Sequence, residues 1–235
     1  MTALAAHGIA LIRAANSGPL TLTGTNTWVV DRWVVDPGPA IDAHLDAVAA
    51  ELQERGGAAG IAVTHDHADH VGGLEGLGAR IGDVPVVSAR NGARDGDVVG
   101  PLRVVALPGH SDDHLAFVGG RAAFSGDAVL GEGSVFVSGN LAGYLDGLRR
   151  LRALDLAVLC PGHGEPIWDV GAKLDAYIEH RLDRERRLLG ALDQGLRSED
   201  ELLDAAWDDA PEHLRSFAAV SLRAHLEKLR AEGRA

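Results

Sequence analysis

Three histidines and an aspartate of one loop, all within six consecutive positions, are candidate metal ligands, and the loop begins one residue after the apolar residues 61–63. They are His65, His67, Asp69 and His70. A loop that leaves a strand can present its side chains to two neighbouring ions. His65 and His67 can then bind one metal, while Asp69 and His70 bind a second. Because a rigid sheet must hold such a loop, the cluster predicts a metal site at the end of a buried strand.

The same pattern, an apolar strand that ends in a loop with a His or Asp, recurs farther along the chain. The strands predicted to end at residues 107, 124 and 159 are followed by His110, Asp127 and His163. Asp127 is the candidate to bridge two ions, since a carboxylate offers two oxygens. Five imidazoles and two carboxylates suit two zinc ions, and would also accept iron or manganese. The predicted metal ligands are His65, His67, Asp69, His70, His110, Asp127 and His163.

Hydrophobic periodicity predicts an α/β chain with a helical tail. Strands are predicted at residues 9–14, 27–30, 33–36, 61–63, 84–88, 102–107, 116–118, 121–124 and 156–159, and helices at 41–53, 71–79 and 141–154. Beyond them, helices are predicted at residues 172–194, 199–207 and 212–230, the second with a capping box that starts at Ser198. We therefore predict a layered α/β sandwich in residues 1–170 and a small helical domain in residues 171–235.

Composition narrows the class of protein. A net charge of −12 disfavours indiscriminate binding to nucleic acid or to anionic lipid. The sequence has no apolar run of about 18 residues, so we expect no membrane span. The first 13 residues lack the basic region of a secretory signal, and the single cysteine, Cys160, is typical of a reducing compartment. We expect a cytoplasmic protein.

The last 65 positions hold half of the basic residues, among them Arg181, Arg184, Arg186 and Arg187. Two interpretations of this arginine cluster stay open: a solvated helix face laced with ion pairs, or a patch that faces phosphate. The histidines outside the metal motifs are interpreted as surface or packing residues: His7, His44, His180, His213 and His225.

Four motifs occur in one order: T-H-D-H-A-D-H-V-G-G, L-P-G-H-S-D-D-H, F-S-G-D and P-G-H-G. With the earlier segment G-T-N-T-W-V-V and its V-V-D-P-G-P, they resemble the metallo-β-lactamase superfamily. The resemblance implies a four-layer αββα sandwich with two metal ions, usually zinc. It assigns His65, His67 and His110 to the first ion. It assigns Asp69, His70 and His163 to the second ion, with Asp127 as the bridge.

The tail extends the resemblance over nearly the whole chain. Its segments Y-I-E-H-R-L-D-R-E-R-R-L-L, A-P-E-H-L and L-R-A-H-L-E-K-L-R-A-E-G look like the winged-helix-like tail of the beta-lactamase-like protein 2 group. That group includes a single-strand endoribonuclease and fungal thioesterases. A bridging Asp127 resembles the glyoxalase II and ribonuclease branches more than true zinc β-lactamases.

We hypothesise a dinuclear metal hydrolase in which a metal-bridging hydroxide attacks an ester, thioester or related small acyl substrate. Asp69 would bind metal and orient the nucleophile, and His114 is a candidate contact to the leaving group or to a metal ligand. Two alternatives stay open: an endoribonuclease for single-stranded RNA, and a metal-stabilised binding module without turnover. A narrow apolar pocket would favour the acyl substrate, whereas an open channel lined by Arg181, Arg184 or Arg187 would favour RNA.

Overall fold

Two five-stranded β-sheets form the framework of the computed structural model, which describes residues 3–235. Met1 and Thr2, part of the predicted first domain, lie outside the described residues. The first sheet has the order β1-β2-β3-β4-β5, with bounds Ile9–Arg13, Asn26–Val30, Trp33–Val35, Gly60–Ala62 and Val86–Val87. The second has the order β10-β9-β8-β7-β6, and β6 to β10 span Val98–Val99, Leu102–Ala106, Leu115–Gly119, Ala122–Gly126 and Val158–Pro161.

Helices cover the outer faces of both sheets and form the tail. In chain order, α1 to α7 span Asp42–Glu54, Ala68–Val71, Leu74–Ile81, Leu141–Arg152, Val170–Asp193, Glu199–Ala206 and Arg215–Ala231. Short 3₁₀ turns lie at Ala5–His7 and Glu212–Leu214. Within residues 3–235, no helix has both the length and the apolar character needed to cross a membrane.

Strand direction brings the predicted ligand loops to one edge. In the second sheet, β8 is antiparallel to both β7 and β9, and β10 is parallel to β9. The carboxyl ends of β7, β9 and β10 therefore point the same way, and the loops with His110, Asp127 and His163 follow these ends. In the first sheet, β4 is parallel to β3 and leads into the loop with His65. Sheet topology thus gathers residues that are up to about a hundred positions apart.

Alternation along the strands buries both faces of each sheet. Between the sheets, aromatic residues from both sides pack together, among them Trp28, Phe117 and Phe124. Helix α1 packs on the outer face of the first sheet through Leu45 and Leu52. Helices α4 and α5 cover the outer face of the second sheet in another apolar cluster. The result is the predicted four-layer αββα sandwich.

The tail shares a helix with the sandwich. The first half of α5 packs on α4 through Leu174 and Tyr177, whereas its second half packs on α6 and α7 through Leu188 and Ala191. The predicted boundary at residues 170/171 falls at the start of this continuous helix. In addition, α7 packs on the sandwich through Ala224. The two parts are therefore joined by a rigid element and a shared apolar contact.

Three elements differ from the sequence prediction. The helix predicted at residues 71–79 is two helices, α2 and α3, with Gly72 and Gly73 between them. Gly73 donates its N–H to the carbonyl of Gly38, and a Cβ there would lie 2.7 Å from Leu45 Cδ2. The third tail helix begins as a 3₁₀ turn before α7, and the short strand β6 was not predicted. In each case a tertiary contact or a very short element overrides local periodicity.

We expect Gly147→Ala in α4 to destabilise the fold by about 1–3 kcal/mol, although alanine is the better helix former. The new Cβ would lie 2.2 Å from Leu107 Cδ1 and 3.1 Å from the carbonyl oxygen of Ala106, so the helix would have to move off β7. The matched control is Gly190→Ala in α5, where nothing lies within 4 Å and a gain of about 0.5–1 kcal/mol is expected. Urea unfolding midpoints measure both, and equal shifts would contradict the packing argument.

Candidate metal centre

The histidine loop leaves β4 and turns at once into the short helix α2. His65 is buried at 1% exposure and His70 at 0%, while Asp69 stays partly accessible. His67 precedes the first residue of α2 and is exposed. The four-residue helix places His70 under the loop and leaves Asp69 facing the open side, so one short segment supplies ligands at two depths.

Three imidazoles converge on the first predicted metal position. His67 Nδ1 lies 3.0 Å from His65 Nε2 and 3.1 Å from His110 Nε2. Asp127 Oδ2 lies 3.7 Å from His110 Nε2 and 3.9 Å from His65 Nε2. A ring nitrogen carries either one hydrogen or one lone pair, so His67 Nδ1 cannot pair with both neighbours through hydrogen bonds. Three converging imidazole nitrogens beside a carboxylate fit a tetrahedral metal ion.

The second predicted metal position lies on the other side of Asp127. Asp69 Oδ2 is 3.4 Å from His70 Nε2 and 3.3 Å from His163 Nε2. Asp127 faces the same pair, with Oδ1 3.4 Å from His70 Nε2 and Oδ2 3.3 Å from His163 Nε2. His70 Nε2 and Asp127 Oδ1 are buried and have no hydrogen-bond partner in residues 3–235, as expected of metal-binding atoms. All seven predicted ligands therefore lie together, with Asp127 between the two groups.

Gly162 makes room for the central carboxylate. A Cβ at this position would lie 2.3 Å from Asp127 Oδ1 and 2.7 Å from His70 Cε1. The glycine of the P-G-H-G motif is thus required by close approach, because any side chain would displace the carboxylate that faces both groups.

Sequence reasoning missed one residue of the site, Asp36. This buried residue follows β3 with a φ of 55°. Its Oδ1 accepts from the Thr64 N–H at 2.7 Å, and its Oδ2 accepts from Thr64 Oγ1 at 2.7 Å and from His70 Nδ1 at 2.8 Å. The V-V-D-P-G-P segment contains this residue at the end of the strand predicted at residues 33–36, but the sequence assigned it no role in the site. Asp36 orients His70 so that Nε2 faces the cluster.

Similar hydrogen bonds orient the other ligands. Since Thr64 Oγ1 donates to Asp36, its oxygen accepts from His65 Nδ1 at 2.9 Å, which leaves His65 Nε2 facing the cluster. The carbonyl of Gly24 lies 3.3 Å from His163 Nδ1 and sets the same tautomer there. Thr25 Oγ1 donates to Asp69 Oδ2 at 2.9 Å. These supporting partners lie next to β2, β3 and β4 of the first sheet. Three of the predicted ligands follow strands of the second sheet, so both sheets hold the centre.

Charge within the cluster is arranged for cations. Burial opposes ionisation of Asp69, but the hydrogen bond from His163 and the charge of His70 lower its pKa to about 2. Burial also opposes charging of His163, yet Asp127 and Asp69 raise its pKa to about 9. His70 shows the same balance, and Asp127 and Asp36 raise its pKa well above 6.5. The carboxylates are therefore ionised, and protons on two imidazoles neutralise them where metal ions would bind in their place.

His114 lies behind the cluster. It is 1% exposed, and its ring stacks on His65 with centroids 4.9 Å apart and planes at 25°. Neither ring nitrogen has a hydrogen-bond partner within the described chain, and burial lowers the pKa of His114 well below 6.5. The ring therefore packs against a predicted metal ligand. Both predicted roles of His114, contact to a leaving group and support of a metal ligand, stay predictions.

A cavity of about 520 Å³ opens from the metal cluster. His67, Asp69, His110, Asp127 and His163 form its floor. Its apolar walls come from three separate segments: Pro19, Leu20 and Leu22; Leu130, Val135 and Phe136; and Leu214, Phe217 and Val220. Among the described residues that line it, none is Lys or Arg, and Glu132 adds a negative charge beyond the cluster.

The tail closes one side of this cavity. Phe217 of α7 stacks on Phe136 of the sandwich, with ring centroids 4.5 Å apart and planes at 18°. Leu214, Phe217 and Val220 are spaced by three residues, so they share one face of the chain as it enters α7. Both the sandwich and the tail therefore line this cavity.

The arginine cluster divides in the structure. Arg186 and Arg187 form ion pairs with neighbouring carboxylates, as the solvated-face interpretation expects. For Arg181 and Arg184 that interpretation is wrong: they are 2% and 6% exposed, because the tail packs over this side of α5. None of the four lines the metal cavity, so the arginine-lined channel is absent there within the described chain.

Comparisons with known proteins agree with this geometry. A profile of the metallo-beta-lactamase superfamily matches residues 78–163, and one of the beta-lactamase associated winged helix domain matches residues 198–235. The beta-lactamase-like protein 2 homolog of Caenorhabditis elegans is 32% identical over 93% of this chain and 82% of its own length.

Two solved structures extend the comparison. A metallo-beta-lactamase family protein from Thermus thermophilus superposes with a TM-score of 0.70 and 26% identity, covering 96% of this chain and 94% of that chain. TTHA1623, solved in a di-iron-bound form, has a TM-score of 0.53 and 28% identity, covering 68% of this chain and 94% of that chain.

We expect Asp36→Asn to weaken metal binding about 10- to 100-fold. The neutral amide has one acceptor oxygen, whereas both oxygens of the Asp36 carboxylate accept hydrogen bonds from Thr64 or His70. The matched control is Asp66→Asn, on the same loop as the ligands, where the carboxylate instead pairs with Arg90. Competition with a chelator, followed by metal analysis, measures both affinities. Unchanged affinity in Asp36→Asn, or an equal loss in Asp66→Asn, would contradict the role given to Asp36.

Proposed function

The chain belongs to the metallo-beta-lactamase superfamily, in the group of beta-lactamase-like protein 2 homologues, and we propose that it hydrolyses esters or thioesters with an apolar acyl group. The apolar cavity that opens directly from the metal cluster carries this proposal. Its volume of about 520 Å³ lies within the range of small-molecule sites, which is about 300–1,000 Å³. Apolar walls bind an acyl chain by removing it from water. The predicted metal ligands lie at the floor of the same cavity.

The chain's own residues would hold the metal ions and position the attacking water. Two divalent cations held by the seven ligands would lower the pKa of a shared water and polarise the scissile bond. Asp69 lines the cavity, and Thr25 and His163 hold its ionised carboxylate in place. It can therefore accept a hydrogen bond from a water molecule and orient it. Leu214, Phe217 and Val220 exclude bulk water from one side of the floor.

Single-stranded RNA fits these walls less well. RNA binding normally uses basic side chains along the phosphate backbone and exposed aromatic surfaces for the bases. The described cavity lining offers no Lys or Arg, and Glu132 and the net charge of −12 repel a polyanion. For this reason, we propose the acyl substrate rather than RNA.

For the metals, we propose two zinc ions in a cytoplasmic enzyme, as the sequence predicted. Imidazole and carboxylate ligands suit zinc, and a similar solved protein was di-iron-bound, so iron is the alternative that metal analysis would detect. Metal analysis of the purified full chain, at about two ions per chain, distinguishes these ions.

A substrate panel tests the proposed function. The full chain is assayed with an octanoyl thioester, a lactone, a chromogenic cephalosporin and a short single-stranded RNA, with and without chelator. We expect thioester hydrolysis that chelation abolishes and zinc restores. Asp69→Ala should lower it by at least about 100-fold while unfolding stays cooperative, and Asp66→Ala should retain it.

Other outcomes of the panel would overturn the proposal. RNA cleavage that is lost in Asp69→Ala, without thioester hydrolysis, would make the protein a nuclease. Two bound metals without turnover of any substrate would favour the binding module.

We expect Phe217→Ala to raise KM for an octanoyl thioester about 10-fold and to leave KM for the acetyl thioester within about 2-fold. The ring forms part of the apolar wall, and only a long acyl chain reaches it. Because binding is lost equally in the ground state and the transition state, kcat should stay nearly constant. The neighbouring exposed Ser216 supplies the control, Ser216→Ala. If both chain lengths were affected alike, α7 would not form the acyl wall.

A further inference from the structure

A second, smaller cavity lies where the tail meets the sandwich, next to the metal cavity. Its volume is about 210 Å³, and it shares Ser134, Val135, Phe136 and Leu214 with the larger cavity. Its polar lining comes mainly from α5, with His180, Arg181 and Arg184, and from Asp209 beyond α6. The family motifs and the proposed hydrolysis use none of these groups.

Arg181 is a buried cation without a matching anion. Its guanidinium donates from Nη2 to Ser134 Oγ at 3.1 Å and to the carbonyl of Val135. Its Nε is buried and has no hydrogen-bond partner, and no carboxylate of residues 3–235 pairs with this side chain. Burial lowers the pKa of Arg181. A buried charge with neutral partners only is costly, so this position favours an anion nearby.

Arg184 adds a second cation to the same lining. Its Nη1 donates to the carbonyl of Ala206 at 2.6 Å, and its Nη2 donates to Asp209 Oδ2 at 2.8 Å. The guanidinium also lies 5.5 Å from the ring centroid of Trp207. Asp209 is its carboxylate partner, with a side chain that is 61% exposed. Asp209 thus pairs with Arg184 and also lies 3.8 Å from Arg187 Nη1, whereas Arg181 has no carboxylate partner among the described residues.

The hydrogen bonds along this wall form a chain in which Arg184 donates to His180 and His180 donates to Ser134. Arg184 Nε donates to His180 Nε2 at 3.3 Å, so His180 Nδ1 carries the hydrogen and donates to Ser134 Oγ, also at 3.3 Å. Burial and the charges of Arg181 and Arg184 lower the pKa of His180 to about 4, which keeps the ring neutral. Ser134 Oγ therefore accepts from both His180 and Arg181, and its own hydroxyl hydrogen is free to donate. The wall offers donors and a positive charge.

We propose that this seam cavity binds a small anion, a single carboxylate or phosphate group, against Arg181 and Arg184 with the Ser134 hydroxyl as a further donor. Its volume is below that of ordinary small-molecule sites, so it admits one anionic group rather than a nucleotide. The group is either a free ion or the anionic end of a molecule that occupies the larger cavity, because Ser134 lines both. Arginine recognises both groups with paired N–H donors.

Binding of inorganic phosphate and of acetate to the full chain tests the site directly. Calorimetry is performed on the purified protein and on chelator-treated protein, so that anions on the metal cluster are separated from anions in the seam. We expect saturable binding in both forms and a rise of the unfolding midpoint with anion concentration. Intrinsic tryptophan fluorescence should also change on binding, because Trp207 lines this cavity.

Matched arginine variants locate the anion. Arg184→Gln should weaken binding about 10-fold or more, since it removes a charged donor, and Arg184→Lys should weaken it less if the glutamine variant unfolds. Arg186→Gln removes the same charge from an exposed position of α5 and should change the affinity less than about 2-fold. Equal weakening in Arg184→Gln and Arg186→Gln, binding that chelation abolishes, or no saturable binding would each overturn the proposal.

A competition experiment separates the two sources of the anion. If the seam holds the anionic end of a substrate, phosphate competes with a thioester whose leaving group carries a carboxylate, but not with its neutral counterpart. If it holds a free ion, phosphate leaves KM for both unchanged. The calorimetry does not require turnover, so failure of the hydrolase proposal and failure of this one are distinguishable.

Discussion

The centre depends on the interaction of the Asp127 carboxylate with the imidazoles around it. It is a buried negative charge that faces His65 and His110 on one side and His70 and His163 on the other. A buried carboxylate requires positive charge close by, and the surrounding imidazoles provide it through protons or through bound metal. Two features let the ligands reach this one carboxylate. Strands β7, β9 and β10 run in the same direction, and Gly162 has no side chain to displace it.

Substrate chemistry, in contrast, depends on how the tail packs. Helix α5 runs without a break from the sandwich into the tail, and its two halves lie in different apolar clusters. This continuous helix holds α7 over the metal floor, where Phe217 stacks on Phe136. Residues 171–235 contain no strand. The tail's apolar face forms the wall of a cavity and thereby connects domain packing to substrate choice.

The seam between the domains also explains the buried arginines. Arg181 and Arg184 lie on the face of α5 that the tail covers, so they cannot reach solvent as Arg186 does. The segment at residues 134–136 lines both cavities, and its Ser134 hydroxyl contacts Arg181 and His180. Ser134 lines both cavities, so a group bound in the seam would lie next to the larger cavity.

The sequence by itself predicted the seven candidate ligands, the loops that carry them and the order of most elements. These predictions depend on residue type and local spacing, which can be read without knowledge of distant contacts. Only the tertiary structure decided the role of Asp36, the depth of His114, the burial of Arg181 and Arg184 and the apolar lining of the cavity. Each of these depends on contacts between segments that are far apart in the chain, and local periodicity cannot report which distant surface will cover a side chain.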